Sequence, residues 1–456
     1  MLSGARKWWM GLAMGAALGL FTLDETIVGV ALDSIQDELG LSELTTHWVV
    51  NAYLLTLAAF VAAGGKLADV FGLRRVFLAG VTVFGVASLA AGFAEGSTWL
   101  IAARALQGVG GAVVVPVALA MITISFPRDQ QGTALGVYGA LGGLGLAMGP
   151  LLGGVLTETL SWRWIFWVNP FVVAAIAAVV IVVWKEPERR ESPPLDVVGL
   201  VALVVGLSGL VLGVMQGEDW GWASPAVLGS LAVGVAALAY FTVSQLHRAN
   251  PLIEVGLFRD ATFSAANSSV FLGQLVKVAS LVFFPVYLQQ VLDLSPLEAG
   301  LAVMPAGIAG LVGGPVAGRA TDRFGPRMPT LVGLAASAAS LAWLGVWSTG
   351  TSYWPMLPAV IVWGFTLALV FAPPLTAVMT SVPQEQQGEA SGIAGTAQMV
   401  GGTIGVAIFS ALLSAGADFD VLFFGAAAAS LVVLGVCWAW LDRPPRARSE
   451  VEPSPA

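Results

Sequence analysis

The sequence predicts an all-α polytopic membrane protein of fourteen transmembrane helices, built as two six-helix halves with a helix pair inserted between them. Composition, the spacing of apolar runs and an internal repeat predict it. Of 456 residues, 57% are hydrophobic and 11% charged, against roughly 25% charged in a soluble domain. Such a chain lacks the polar surface to face water all round. Its 55 glycines and 16 tryptophans suit a membrane bundle, where small residues let helices approach and indoles sit at headgroup level.

About 20 apolar residues cross a bilayer as a helix. On that template, spans fall near 9–31, 46–64, 75–94, 98–124, 133–155, 164–184, 195–215 and 225–246, then near 262–290, 297–316, 329–347, 354–380, 390–413 and 420–441. Arg6-Lys7 ahead of the apolar run Trp8 to Leu23 has the outline of a signal peptide. No small-residue cleavage site follows and Asp24-Glu25 interrupts the run, so it reads as an uncleaved first helix.

With the N-terminus inside, the 20 Lys and Arg sort cleanly. Arg104 and Lys277 fall within helices, Arg163 falls outside, and the rest are cytoplasmic, as the positive-inside bias requires. The expectation is a multi-pass protein of the cell (inner) membrane with both termini cytoplasmic. The net charge of −8 is scattered over loops and offers nucleic acid no face. Cys437 is the single cysteine, and His47 and His247 lie in different polar loops, so neither a disulfide framework nor a metal site is expected.

The repeat is explicit. Gly65-Lys66-Leu67-Ala68-Asp69-Val70-Phe71-Gly72-Leu73-Arg74 returns as Gly318-Arg319-Ala320-Thr321-Asp322-Arg323-Phe324-Gly325-Pro326-Arg327, with Asp, Phe, Gly and Arg in register. Pro127-Arg128-Asp129-Gln130-Gln131-Gly132 returns at nearly the same offset as Pro383-Gln384-Glu385-Gln386-Gln387-Gly388. The chain therefore divides into an N-terminal half at 1–190, an inserted helix pair with its linkers at 191–250, a C-terminal half at 251–442, and a Pro-rich, charged, disordered tail at 443–456. Parallel repeats of this kind describe a secondary transporter with its substrate site near the midplane between the halves.

Four motifs carry a family resemblance: Leu23-Asp24-Glu25-Thr26-Ile27-Val28 in the first helix, the Gly65-to-Arg75 segment after the second, Arg104-Ala105-Leu106-Gln107-Gly108-Val109-Gly110-Gly111 in the fourth, and Gly145, Gly149-Pro150 and Gly153-Gly154 in the fifth. In order and on the expected helices, they make nearly the whole chain resemble the major facilitator superfamily, specifically its fourteen-helix drug:proton antiporter branch. Where that branch continues its first motif Asn-Val-Ala-Leu-Pro, this chain reads Gly29-Val30-Ala31-Leu32-Asp33. An amide is lost from the expected cavity and a carboxylate is gained at its outer mouth.

The resemblance implies a major-facilitator fold, alternating access and export of small amphipathic compounds against protons, with no cofactor and a monomeric protein in the bilayer. The proton-coupling candidates are Asp24, Glu25, Arg104 and Lys277. An ionised group deep in the membrane costs at least ~2.5 kcal/mol on insertion scales, so a carboxyl there has reason to keep its proton. Adjacent residues on a helix point about 100° apart, so one of the two carboxyls faces the cavity. By resemblance it is Asp24, with Arg104 biasing its protonation. Lys277 is expected to pair with Asp24 or Glu25 across the halves; a static ion pair is the plainer alternative.

Asp69, Gly72 and Arg74, with Asp322, Gly325 and Arg327, are expected on cytoplasmic loops as a gate between the halves. Topology-setting charge would explain the arginines but not the repeated Asp-x-x-Gly. By resemblance, Gly145, Gly149, Pro150, Gly153 and Gly154 argue for export; tight packing alone is the alternative. Candidate substrate-binding residues are Asn51, Tyr53, Tyr138, Asn267, Gln274, Trp363 and Gln398, with Trp48, Tyr287 and Gln289 beside them, since aromatics with a few amides suit loosely specified amphiphiles.

No Gly-x-x-x-x-Gly-Lys-Ser/Thr occurs, which argues against a nucleotide-driven pump, and no Ser-His or His-metal constellation suggests an enzyme. The alternatives are a substrate:proton symporter or facilitator for a metabolite, a flippase for a lipid or lipophilic precursor, or a ligand-sensing receptor of similar fold.

Overall fold

The computed structural model describes residues 4–186, 196–248, 251, 253–350, 352–383 and 386–441. The segment 443–456 and Gln384-Glu385 of the second echo lie outside the described residues. Among those described, 14 helices are long and apolar enough to cross a membrane. They are α1 Ala5–Leu39, α2 Glu43–Phe71, α3 Leu73–Gly92, α4 Ser97–Ser125, α5 Gln131–Thr159, α6 Trp164–Val183, α7 Val197–Met215, α8 Pro225–His247, α9 Ala261–Gln290, α10 Pro296–Phe324, α11 Arg327–Trp347, α12 Leu357–Thr380, α13 Gln387–Ser414 and α14 Phe419–Trp440. α6 is two pieces, Trp164–Trp167 and Asn169–Val183.

Helices dominate because an unpaired backbone amide in hydrocarbon costs several kcal/mol, and a helix pairs its own. Several starts are marked by capping side chains. Ser42 accepts from the Thr45 N–H, Asp196 from Gly199, Ser224 from Val227 and Asp260 from Phe263, and Ser295 forms a capping box with Glu298.

The helix count and order match the expectation; several ends do not. α1 was expected over 9–31 and runs over 5–39, α2 continues past 64 to Phe71, and α10 continues past 316 to Phe324. Hydropathy finds the hydrocarbon-crossing part, while the helix itself continues into the polar zone, where charged side chains carry no penalty. Asp69 and Asp322 therefore occupy last helical turns rather than loops. His47 and His247, expected in loops, lie in the end turns of α2 and α8.

One residue separates α2 from α3. Gly72 has φ 95°, and Gly325 has φ 76° at the start of the α10–α11 corner, a region open to glycine and strained for other residues. Arg74 and Arg327 then lie in the first turns of α3 and α11.

α1 packs along α5, and α4 against α2 and α3; α9 packs along α13, α10 along α12, and α11 along α14. The two sets meet at two seams, α2 against α13 and α5 against α10. Both seams are glycine-lined. A Cβ on Gly65 would meet the Gly388 carbonyl, and one on Gly136 the Gly314 carbonyl, so backbones approach as only small residues permit. Outward-facing Phe171, Val182, Val432 and Trp438 are exposed, as suits contact with lipid.

α7 and α8 pack on each other, and α7 lies across α2 and α13. Leu203, Leu207 and Phe241 of the pair bury against Ala62 of α2, with Val400 of α13 alongside.

Candidate functional site

Because α1 continues to Leu39, Asp24 lies about 22 Å from its end and Lys277 about 20 Å from the end of α9, at 1.5 Å per residue. The carboxylate of Asp24 is enclosed by its own set of helices. Arg104 Nη1 of α4 donates to its Oδ2 at 2.5 Å, and both side chains are wholly buried. Gln107 Nε2 donates to Asp24 Oδ1 at 3.3 Å and Asn169 Nδ2 of α6 at 3.1 Å. Arg104 also donates to the Val49 carbonyl at 2.9 Å and to Gln107 Oε1 at 2.9 Å. Its guanidinium carbon stands 4.4 Å from the centre of the Tyr53 ring, while Nη2 is buried with no hydrogen-bond partner.

The neighbouring carboxyl points elsewhere. Glu25 is partly buried, and the charge of Lys277 of α9 acts on it more strongly than those of Asp24 and Arg104. Asp24 was expected to face the cavity; Arg104 and Asn169 instead draw it into the packing, and the 100° offset turns Glu25 toward the second set of helices. Lys277 thus acts on Glu25, while Asp24 is taken up by Arg104. Among the described residues Glu25 and Lys277 make no ion pair or hydrogen bond, and the Lys277 ammonium lies 5.4 Å from the Phe371 ring centre.

Lys277 lines a narrow cleft with Gln274, Trp363, Phe371 and Gln398, which brings together three of the seven expected substrate residues. The other four are not part of its lining. Asn51 donates to Gln216 Oε1 at the end of α7, at 3.3 Å. Tyr53 lies against Arg104, Tyr138 is buried, and Asn267 donates to the Phe263 carbonyl at 2.9 Å. Tyr287 is buried with its hydroxyl on Met356 Sδ, and Gln289 is exposed.

The α5 glycines form the seat of α1. A Cβ on Gly145 would meet the Gly19 carbonyl, one on Gly149 the Thr26 hydroxyl, and one on Gly153 the Ile27 carbonyl at 2.8 Å. Thr22 and Thr26 hydroxyls donate to the Gly142 and Leu146 carbonyls at 2.7 and 3.2 Å. Pro150 lies within this helix. Gly154 was expected on the same face, but it looks into open space, one residue beyond the four-residue spacing.

At the end of the bundle carrying Gly72 and Gly325, each repeated aspartate meets the N-terminus of a helix across a seam. Asp322 of α10 accepts from the Gly132 N–H at 2.7 Å, the Thr133 N–H at 2.8 Å and the Thr133 hydroxyl at 2.5 Å, all at the start of α5. Asp69 of α2 accepts from the Glu389 N–H at the start of α13, packed against Gly388. A carboxylate at a helix N-terminus is stabilised by free N–H groups and the helix dipole. The arginines stay within their own sets: Arg74 donates to the Ile181 carbonyl at 3.0 Å and Arg327 to that of Trp438 at 2.6 Å.

A polypeptide strap crosses the α2/α13 seam here. Lys66 donates to the Pro251 carbonyl at 3.1 Å and stands 3.9 Å from Glu389, which takes the Glu254 N–H. Gln386 donates to Glu254 at 2.8 Å.

Comparison with known proteins accounts for this pseudo-twofold arrangement. Residues 14–406 and 263–456 match the sequence model of the Major Facilitator Superfamily. The chain belongs to the major facilitator superfamily. This transporter is 33% identical over 415 residues to the tetracenomycin C resistance and export protein of Streptomyces glaucescens, covering 90% of this chain and 76% of that one. It is 35% identical over 410 residues to the puromycin resistance protein pur8 of Streptomyces alboniger, covering 89% and 81%. With the multidrug resistance protein Stp of Mycobacterium tuberculosis it shares 32% over 405 residues, covering 89% and 75%. Among solved structures, the human organic anion transporter MFSD10 superposes with a TM-score of 0.70 at 16% identity, covering 95% of this chain and 100% of that one, a likeness of fold.

Sequence reading missed the groups that hold Asp24. Gln107 sits inside a quoted motif without a role, and Asn169 stands where α6 breaks; a polar residue in an apolar span was the available signal. Lys66 and Glu389 were legible only as charge.

Proposed function

We propose that this transporter exports small amphipathic compounds in exchange for protons by alternating access, as a monomer in the cell (inner) membrane with both termini cytoplasmic. The observation that carries the reading is the buried Asp24–Arg104 pair, sealed by Gln107 and Asn169 and seated on the α5 glycine face. A proton arriving at Asp24 removes the counter-charge of Arg104. Leaving one member of a buried pair alone costs about 3–5 kcal/mol, enough to shift a two-state equilibrium by orders of magnitude. The strain falls on α1, α2, α4 and α6 together, since Arg104 also holds the Val49 carbonyl.

In this reading the halves 1–190 and 251–442 are the moving bodies, and 191–250 is an insert. Asp69 and Asp322 close the cytoplasmic side with the corners at Gly72 and Gly325, while Arg74 and Arg327 brace each half from within. Export rather than uptake is supported by relatives named for resistance and export.

The test is reconstitution in proteoliposomes under an imposed pH gradient, with lumenal pH recorded as cationic, zwitterionic and anionic amphiphiles are added. Substrate-dependent proton movement that disappears in Asp24→Asn is the expected result. Absence of proton movement with every compound sinks the antiport reading in favour of a facilitator or flippase.

A further inference from the structure

We propose that Glu25 and Lys277 are the two poles of a substrate site for zwitterionic amphiphiles, molecules that join a cationic amine and an anionic acid to an aromatic body. This rests on the transport reading above and adds to it the charge class of the cargo.

Charges inside a membrane-spanning bundle are costly unless matched, and this molecule matches the charges of the deep pair next door. Asp24 takes the Arg104 guanidinium and two amides. Glu25 and Lys277, at comparable depth, make no hydrogen bond or ion pair among the described residues. They stand within electrostatic reach of each other, yet on opposite halves, Glu25 on α1 and Lys277 on α9. A contact between halves that move cannot serve as a permanent brace, so its partner must come and go with the cycle.

The surroundings fit such a partner. Beside Lys277, Gln274 and Gln398 line the cleft with no hydrogen bond among the described residues. Trp363, also in the lining, has its indole N–H buried and unpartnered. Phe371 offers an aromatic face to the ammonium. A purely cationic ligand at Glu25 leaves Lys277 unmatched and is repelled by it; a purely anionic ligand reverses the fault. A molecule with both charges satisfies both poles, and its apolar body meets the Trp363 and Phe371 rings.

The probe is a fluorescent series on one scaffold: Nε-dansyl-lysine, which is zwitterionic, its methyl ester, which is cationic, and its Nα-acetyl derivative, which is anionic. Equilibrium binding to the full chain in lipid nanodiscs is read at pH 7 without a gradient. The zwitterion is expected to bind at least tenfold more tightly than either single-charge form. Lys277→Met should weaken the zwitterion and favour the ester; Glu25→Gln should weaken the zwitterion and favour the acetyl derivative. The exchanged variant Glu25→Lys/Lys277→Glu should recover the zwitterion preference, which separates recognition from misfolding. Equal binding of all three, binding of none, or one charge preference surviving unchanged in both single variants overturns the assignment. The two readings fail separately. Zwitterion preference without proton-coupled flux overturns only the antiport reading, and proton-coupled flux of cations without that preference overturns only this one.

Discussion

Asp322 and Thr133 are joined twice, through the Thr133 backbone N–H at 2.8 Å and its hydroxyl at 2.5 Å. At the repeat-related position Asp69 meets Glu389, a second carboxylate, with Lys66 at 3.9 Å supplying the positive charge. One seam is closed by neutral donors alone, while the other adds a charged cluster to a backbone N–H.

Replacing Asp322→Asn removes the charge that faces the α5 N-terminus, worth about 1–2 kcal/mol to the closed state, or roughly five- to thirtyfold in open population. With Cys437→Ser as background and a cysteine introduced by Ala140→Cys beside Gly314, maleimide labelling should accelerate by that factor. Unchanged labelling would remove Asp322 from the gate.

Arg104→Ala leaves Asp24 buried beside two amides and no cation, and should cost about 3–5 kcal/mol of stability. The double change Asp24→Asn/Arg104→Gln should cost less than the sum of the single ones. Thermal unfolding in detergent checks this; additive losses would mean the two side chains act independently.

A methyl group on Gly145 or Gly149 has no room, since each faces α1 backbone or the Thr26 hydroxyl. Gly145→Ala and Gly149→Ala should each destabilise by about 1–3 kcal/mol and slow transport, while Gly154→Ala, facing open space, should do neither. Equal effects at all three positions would contradict the helix face assigned to α1.

Asp196, just ahead of α7, gives the inserted pair a pH dependence. Burial works against its charge, but the Gly199 N–H at 2.8 Å, the Gln245 amide at 2.9 Å and Arg248 at 2.7 Å outweigh it and hold the carboxyl below its ordinary value. A depressed acid stabilises the folded state above the ordinary carboxylate pKa, near 4, and that stability is lost as pH falls through the lower folded value. Acid unfolding of the wild type should therefore steepen below about pH 4, and Asp196→Asn should flatten the curve. Identical acid curves would show that the cluster does not titrate.

The number and order of the spans were readable because crossing length and apolarity are local properties. The ends of α1, α2 and α10 were not, because a helix does not stop where hydrocarbon stops. The 100° between Asp24 and Glu25 was also readable, but which of them turns inward depends on where α4 and α6 place Arg104 and Asn169. Asn51 shows the same limit: it looks like a cavity amide until α7 sets Gln216 against it. The repeated Asp-x-x-Gly drew attention to the seams; the helix N-termini that receive the aspartates lie in the other half and are visible only once the chain is folded.

The strap through Pro251 and Glu254 grips α2 and α13 together, and α7 rests on the same edge. In the alternating-access reading that edge acts as a spine, and the α5/α10 edge, which has no such strap among the described residues, is the margin that swings. In that reading the twofold likeness of the halves does not carry over to their motion. Spin labels across α5/α10 should part further during turnover than labels across α2/α13, and a membrane-dissolved molecule would then enter by the flank away from the α7–α8 pair, which packs on α2 and α13.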